Sequence, residues 1–240
     1  MIGKEDALSK HKIIATYEEH YNQPGHLRES DAFYRWVLEK LGPVPDRKLL
    51  DIACGEGHMG RLAAERGLEA TGVDFSPSAA ALAYENMEQY RVAIADGQRL
   101  PFPSEAFDYL TNLGSLEHFV SPDQGLLEMR RVIKPDGVAA LLLPNSYYLL
   151  DILWHVLRLG YPVSHHQAIE RFATFGEWRD LIEEHGFHVI QAHKYNMCWP
   201  CSLSDLQWYL RFPKKIPYML SGPLTPFNLS YSFLFICGTS

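Results

Sequence analysis

The chain has 240 residues, of which 47% are hydrophobic and 21% are charged, a composition typical of a folded globular protein. Its formal net charge of −7 disfavours broad binding to nucleic acid backbones, and no apolar run reaches the length that spans a bilayer. Residues 1–6 lack the apolar stretch of a secretory signal, and four cysteines are too few for a disulfide scaffold. We therefore expect a cytoplasmic protein without an integral membrane segment, and the sequence does not indicate its oligomeric state.

Two helical stretches are predicted ahead of the first strand. Apolar residues recur with helical spacing over residues 5–41, and the Asn-Gln-Pro-Gly sequence at 22–25 interrupts them. Ser30 or Asp31 is placed to cap the second of these helices. We interpret residues 1–45 as a helical lid.

Strands and helices then alternate as far as residue 143. The predicted strands cover residues 49–53, 68–74, 90–95, 107–113 and 138–143. Helical patterns follow the first strand directly, begin again at Pro77, and cover residues 123–133, before a Pro-Asp-Gly turn at 135–137. This alternation predicts an α/β fold with a doubly wound, mostly parallel sheet and helices on both faces.

Beyond residue 145 the pattern is looser. A helical, aromatic-rich stretch is predicted over 146–160, a helix over 174–185, a strand over 187–195, a helix over 204–210 and a last strand over 229–237. Because a long connection precedes that strand, we expect it to insert antiparallel. We interpret 146–175 and 196–228 as variable segments on the substrate side of a single domain, 1–240.

The first strand ends in a cluster of glycines. Gly55, Gly57 and Gly60 match the dinucleotide pattern G-x-G-x-x-G, followed at once by a helical pattern. Asp51 lies four residues before Gly55, and Glu56 lies within the turn. Both carboxylates would repel a diphosphate and attract an ammonium or sulfonium group.

Two further acids end the next two strands. Asp74 is placed to accept hydrogen bonds from ribose hydroxyls, as in any adenosine ligand. Asp96, with Gly97 beside it, could accept from an adenine amino group. The ligand that fits these residues is S-adenosylmethionine, an adenosine with a positively charged amino-acid end. An NAD(P)-dependent oxidoreductase stays open as the alternative.

The successive motifs resemble those of the class I S-adenosylmethionine-dependent methyltransferases. They lie at residues 51–57, 72–76, 95–102, 107–119 and 131–138. The resemblance is strong over residues 48–145 and only architectural beyond them. It implies a Rossmann-like, seven-stranded sheet whose last strand is antiparallel, with S-adenosyl-L-methionine as cofactor and S-adenosyl-L-homocysteine as product.

The resemblance also implies a set of cofactor residues. They are Asp51, Ala53, Cys54, Gly55 and Gly57 at the glycine turn, Asp74 and Phe75 after the second strand, Asp96 and Gly97 after the third, and Asn112, Leu113 and Gly114 at the end of the fourth. Asp51 and its neighbours would line the methionine end, Asp74 the ribose, and Phe75 the adenine. Arg28 could reach the methionine carboxylate or be a solvated surface charge.

Methyl transfer depends mainly on holding the nucleophile in line with the methyl group, and a general base is needed only for some acceptors. His118, just after the fourth strand, is the candidate base, although it could instead only hydrogen-bond the ligand or backbone. We assign Glu117 a structural or helix-terminus role. The expected acceptor is a small molecule, apolar or aromatic. A module that binds the cofactor without turnover is a further alternative.

Four other residues are candidates for a substrate pocket. They are Tyr17, Tyr21, His165 and His166. Adjacent histidines do not easily face one ion, so we expect no metal.

Two remaining features have two interpretations each. Cys198 and Cys201 form a C-x-x-C pair that reads as a redox dithiol or, in our preferred interpretation, as two semi-buried thiols. Residues 207–220 mix aromatic and basic side chains, which fits either peripheral contact with a membrane or a lid over a soluble substrate.

Overall fold

The computed structural model describes residues 28–86, 91–161 and 169–239, and its centre is a seven-stranded sheet. The strands are β1 (Lys48–Ile52), β2 (Glu69–Asp74), β3 (Arg91–Ile94), β4 (Phe107–Leu113), β5 (Ile133–Pro144), β6 (Phe187–Tyr195) and β7 (Ser232–Thr239). Their order is β3-β2-β1-β4-β5-β7-β6. Strands β1 to β5 pair in parallel, and β7 is antiparallel to both β5 and β6. The predicted fold class, with its antiparallel last strand, is confirmed.

Helices pack on both faces of this sheet. They are α1 (Asp31–Leu41), α2 (His58–Ala64), α3 (Pro77–Asn86), α4 (Pro122–Val132), α5 (Leu149–Asp151) with the π-helix Ile152–Leu159 that continues it, α6 (Phe175–Glu184), α7 (Leu203–Arg211) and α8 (Ile216–Ser221). Short 3₁₀ helices cover Leu116–His118, Pro213–Lys215, Gly222–Leu224 and Phe227–Leu229. The predicted helix ahead of residue 22 lies outside the described residues.

Successive residues of the central strands face two separate cores. Leu49 packs in one cluster with Phe33 of α1 and Met59 of α2. Leu50 packs in the other with Met129 of α4. Each of these five side chains is at most 1% exposed. The parallel strands are therefore buried on both faces, which explains their nearly continuous apolar sequence.

Two strand boundaries differ from the prediction for local reasons. The Pro-Asp-Gly sequence at 135–137 lies inside β5, because a register shift opposite Phe107 and Tyr109 absorbs the irregular residues. The last strand begins at Ser232, because residues Phe227–Leu229 form a turn of 3₁₀ helix. Strands β4 and β6 have the predicted bounds.

Two glycines position the loop that follows β4. Added Cβ atoms at Gly97 and Gly125 would each lie 2.5 Å from the ring of Phe119. The ring of Phe119 thus fills the space that side chains at these positions would need, and it holds residues 97 and 125 close together.

We expect Gly97→Ala to lower the free energy of unfolding by about 1–3 kcal/mol, because the new methyl group would overpack this contact. Urea denaturation measures the change. Gly176→Ala is the control, since a Cβ there meets nothing within 4 Å. It should leave the free energy unchanged or raise it by up to about 1 kcal/mol. Equal losses in the two variants would contradict the packing explanation.

Candidate active site

The carboxyl ends of the parallel strands open onto a cavity of about 700 Å³. Ligands of doubly wound sheets bind outside this edge, and the volume is in the range of small-molecule sites. The wall combines the glycine turn and the ends of β1, β2 and β4 with α1, residues 170–172 and the 3₁₀ helix Leu116–His118. Trp208, Phe212, Lys215 and Tyr231 from the later part of the chain complete it.

The turn after β1 has an unusual backbone. Ala53, Gly55 and Gly57 have φ angles of 58°, 52° and 80°, in the left-handed region that favours glycine. The N–H of Cys54 donates to the carbonyl of Val73 at 2.9 Å, which fixes the turn against β2. Ala53, Cys54 and Gly55 form part of the cavity wall, whereas Gly57 caps α2 behind it.

The carboxylate of Asp74 connects this turn to the tip of β2. Its Oδ2 accepts from the N–H of Gly55 and its Oδ1 from the N–H of Ser76, each at 2.9 Å. Asp74 is 2% exposed and lines the cavity. The predicted ligand role is therefore combined with an architectural one, which the sequence pattern does not reveal.

Asp51 is a second buried carboxyl on the wall. Its Oδ1 accepts from Oγ1 of Thr111 at 2.7 Å, and its side chain is almost fully enclosed. Burial, together with the nearby charge of Asp74, raises the pKa of Asp51 to about 7 against the lowering effect of the Thr111 hydrogen bond. A cationic ligand at this point would stabilise the ionised form of both carboxyls.

Several polar atoms on the wall are buried without a hydrogen-bond partner among the described residues. They are Arg28 Nε, His58 Nδ1, Ser115 Oγ and Glu117 Oε2. Buried polar atoms in folded proteins nearly always have a hydrogen-bond partner. The concentration of atoms without one at this cavity therefore indicates a site for a polar ligand. Apart from Arg28, none of these residues is among the site residues predicted from the sequence, since nothing in their local pattern reports burial.

The 3₁₀ helix Leu116–His118 presents two titratable side chains to the cavity. Nδ1 of His118 lies 2.5 Å from the carbonyl oxygen of Ile169, which can only accept, so this nitrogen carries the proton. Its Nε2 lies 3.7 Å from Oε1 of Glu117. Glu117 is 6% exposed, and burial raises the pKa of Glu117 to about 8. The sequence pattern predicts only a structural or helix-terminus role for Glu117, whereas the structure places this residue on the cavity wall.

Arg171 fixes the position of that 3₁₀ helix. Its guanidinium donates to the carbonyls of Glu117 at 3.2 Å, of Val120 at 3.0 Å and of Phe119. Residues 169–172 are thereby bound to the loop after β4, and Phe172 joins the cavity wall.

Another part of the wall is aromatic. It consists of Tyr34, Tyr195, Trp208, Phe212 and Tyr231. Nε1 of Trp208 donates to the carbonyl of Arg28 at 3.1 Å, which joins α7 to the start of α1. Nζ of Lys215 lies 5.4 Å from the centre of the Tyr231 ring and 3.6 Å from a carboxylate oxygen of Glu29. The cavity thus offers an apolar surface beside its buried acids.

The structure brings most of the predicted site residues together. Those on the cavity wall are Arg28, Asp51, Ala53, Cys54, Gly55, Asp74, Phe75, Asp96, Gly97, Leu113, Gly114 and His118. Asp96 accepts through Oδ1 from the backbone and side-chain nitrogens of Gln98 at 3.0 and 3.1 Å, which shapes the turn after β3.

Some predicted residues lie elsewhere. Asn112 is fully buried behind the wall, where its amide donates to the carbonyl of Ile52 and its Oδ1 accepts from the N–H of Leu116. It connects β1 to the 3₁₀ helix and does not face the cavity. The predicted pocket residues Tyr17, Tyr21, His165 and His166 lie outside the described residues.

Burial raises the pKa of Cys198 to about 12, so this half-buried side chain is a thiol at neutral pH. Cys201 is exposed and free. These properties favour semi-buried thiols over a reactive dithiol. Within residues 28–86, 91–161 and 169–239, no group of three or more His, Cys, Asp or Glu side chains could hold a metal ion. No helix in the same ranges is long and apolar enough to cross a membrane.

Comparison with known proteins gives one family match. Residues 50–141 match the model of a methyltransferase domain. A demethylmenaquinone methyltransferase of Renibacterium salmoninarum is 32% identical over 103 residues, which are 43% of this chain and 44% of that protein. A sterol 4-C-methyltransferase of Caenorhabditis elegans is 27% identical over 228 residues, which are 85% of this chain and 66% of that protein. The chain thus spans less than two thirds of the length of either relative.

A solved structure extends the likeness to almost the whole chain. It is the 1,6-didemethyltoxoflavin-N1-methyltransferase of Burkholderia thailandensis with bound 1,6-didemethyltoxoflavin and S-adenosylhomocysteine, with a TM-score of 0.65. The superposition covers 99% of this chain and 93% of that one at 17% sequence identity. At this identity the likeness concerns the fold alone.

We expect Asp51→Asn to flatten the dependence of stability on pH. The folded chain holds this proton up to about pH 7, whereas the unfolded chain releases it at the ordinary pKa of an aspartate, near 3.8. Stability is therefore lost as the pH rises through this window, by roughly 2–4 kcal/mol more in the wild type than in the variant. Urea denaturation at several pH values between 4 and 8 measures the difference.

The exposed Asp136→Asn serves as the control and should follow the wild-type curve. If Asp51→Asn also follows it, Asp51 is already ionised in the folded chain.

Proposed function

We propose that this chain, in which residues 50–141 match a methyltransferase domain, transfers a methyl group from S-adenosylmethionine to a small apolar or aromatic acceptor. One observation carries the proposal: buried carboxyls, and polar atoms without a hydrogen-bond partner in the described part of the chain, line the same cavity as an aromatic surface. The first group suits a cationic, polar cofactor and the second an apolar acceptor.

The residues of the cavity fit the cofactor by charge and by hydrogen-bonding capacity. Asp51 would neutralise the ammonium group, and Arg28 would bind the carboxylate of the methionine end. Asp74 would accept from the ribose, with Phe75 against the adenine and Asp96 near its amino group. When bound, S-adenosylmethionine supplies an electrophilic methyl group on a sulfonium.

The charges at the turn argue against the NAD(P) alternative. Glu56 lies on the cavity wall beside the turn, and Asp51 lies below it. A diphosphate there would meet two carboxylates in a poorly solvated cavity, where like charges repel strongly.

The nature of the acceptor is supported by the wall and by the relatives. Tyr34, Trp208, Phe212 and Tyr231 could contact a flat or apolar molecule. The related proteins are named for the methylation of demethylmenaquinone, a sterol and a toxoflavin precursor. We propose that α1 and the segments 146–175 and 196–228 form this acceptor side. A cytoplasmic location and the lack of a nucleic acid partner stay predictions from the sequence.

We also propose that Glu117 accepts the proton of the acceptor. The acceptor would form its new bond to the methyl carbon as the bond between that carbon and the sulfonium sulfur breaks, with the electron pair left on sulfur, and the acceptor's own proton would pass to the Glu117 carboxylate. His118, fixed by Ile169, has its Nε2 3.7 Å from Glu117 and would stabilise the charged carboxylate when both of its ring nitrogens carry a proton. This assignment extends the candidate base of the sequence analysis from His118 to the pair.

We expect Asp74→Ala to weaken the binding of S-adenosylmethionine by about 1–3 kcal/mol, because hydrogen bonds to the ribose and to the glycine turn are lost. Isothermal titration calorimetry measures the affinity, with NAD as the competing ligand. The exposed Asp123→Ala is the control and should bind like the wild type. Binding of NAD in place of S-adenosylmethionine would overturn the proposed function. Binding without turnover of any apolar or aromatic acceptor would favour the non-catalytic alternative.

We expect kcat of the wild type to rise with pH through about 8, where Glu117 loses its proton. Glu117→Gln should lower kcat by about 100-fold and remove this rise, while the affinity for S-adenosylmethionine stays the same. Steady-state rates between pH 6 and 9.5 measure both effects. If His118→Ala removes the rise and Glu117→Gln does not, His118 is the base.

A further inference from the structure

Most of the exposed large apolar side chains in the described part of the chain lie in two stretches, 147–161 and 199–224. The π-helix contributes Leu153, Trp154 and Leu157, of which Leu157 is 71% exposed. A helix with so many apolar residues is normally buried in a core, whereas this one has no buried residue at all. We call these three side chains, together with Leu203, Leu206 and Leu210 of α7, the exposed apolar surface.

Helix α7 is apolar on both of its faces. Trp208 and Tyr209 point inward, where they pack in the core and beside the cavity. Leu203, Leu206 and Leu210 recur at helical spacing on the outer face, with Leu203 80% and Leu210 70% exposed. The inner face alone packs α7 onto the protein. The stability of the fold therefore does not explain why the outer face carries leucines.

The two stretches are in direct contact. Tyr148, just ahead of α5, stacks on Tyr218 of α8 with ring centres 5.2 Å apart. The hydroxyl of Tyr218 donates to Asp151 at 3.4 Å. Both tyrosine rings also contact Tyr231, which lines the cavity. Helices α5 and α8, which neighbour the π-helix and α7 in the chain, are therefore joined to each other beside a residue of the cavity wall.

The charges in these stretches differ from those of the rest of the chain. The structure describes every residue of both stretches, and their two acids, Asp151 and Asp205, are buried. The exposed charges are all basic, at Arg158, Arg211 and Lys214. In a chain of net charge −7, this is a local region of positive charge beside exposed leucines.

We propose that the exposed apolar surface docks this protein on an anionic lipid bilayer. Leucines would enter the boundary between headgroups and acyl chains, and the basic side chains would face anionic lipid. The guanidinium of Arg158 lies 4.3 Å from the centre of the Trp154 ring, so its charge is held next to an apolar side chain suited to that boundary. A second copy of this chain fits less well, because two such surfaces would bring like charges together.

Docking would also set the class of the acceptor, an extension that rests on the proposed function. Trp208 lies on the inner face of α7, between Leu206 and Leu210 in the sequence, and Phe212 directly follows the helix; both line the cavity. An acceptor dissolved in the bilayer would then lie next to the wall through which it must enter. The acceptor class that this arrangement favours is a membrane-soluble amphiphile.

Flotation with lipid vesicles tests the docking step with the full chain and without cofactor or acceptor. Vesicles of phosphatidylcholine alone are compared with vesicles that also contain phosphatidylglycerol. We expect the wild type to float with the anionic vesicles and to be released by raised salt. The double variant Leu203→Glu, Leu210→Glu should bind them at least about tenfold more weakly, because each change removes an inserted leucine and adds a repelled charge.

Leu127→Glu is the matched control, since Leu127 is 51% exposed on α4, away from the exposed apolar surface. It should bind vesicles like the wild type. Unchanged melting curves and unchanged affinity for S-adenosylmethionine would show that the double variant is folded, and they report on the proposed function separately from docking.

Three results would overturn the docking proposal. The wild type could fail to float with either vesicle, or the double variant could float as well as the wild type. The third is a wild-type dimer in analytical ultracentrifugation that the double variant converts to a monomer, since the surface would then be covered by a second copy.

Discussion

The site depends on one buried carboxylate that joins two loops. Asp74 accepts one backbone N–H from the glycine turn and one from the start of the next connection, and it does so at the edge of the cavity. Together with the Cys54 N–H, which donates to Val73, this carboxylate anchors the left-handed turn around Gly55 on β2. The same negative charge helps to raise the pKa of Asp51. Asp74 therefore contributes both to the backbone geometry of the cavity wall and to the raised pKa of Asp51.

Burying these carboxyls and polar atoms on the cavity wall costs free energy unless a ligand interacts with them. Asp51 and Glu117 are carboxyls whose burial raises their pKa, and several wall atoms lack partners among the described residues. Natural sequences depart from complete polar satisfaction mainly where a ligand supplies the missing interactions. Such a chain gains stability when its ligand binds, because the ligand interacts with the folded state only.

The sequence predicts well what is determined locally. Apolar runs and the glycine turn identify the strands and the ligand edge, and the spacing of acids identifies Asp51 and Asp74. Long-range contacts are not visible in this way. Arg131, in the motif at residues 131–138, donates to the carbonyls of Leu100 and Phe102 and thereby joins this motif to the one at 95–102. The position of Glu117 on the cavity wall is not visible for the same reason, because its backbone carbonyl is bound by Arg171, more than fifty residues later.

Strand β7 has a consequence for how the sheet is assembled. It is buried along nearly its whole length between β5 and β6, yet both of its neighbours precede it in the chain. During translation, the edges of β5 and β6 must wait unpaired until residues 232–239 have left the ribosome. Unpaired strand edges invite association with other chains, so the nascent protein passes through an interval in which chaperone protection matters most.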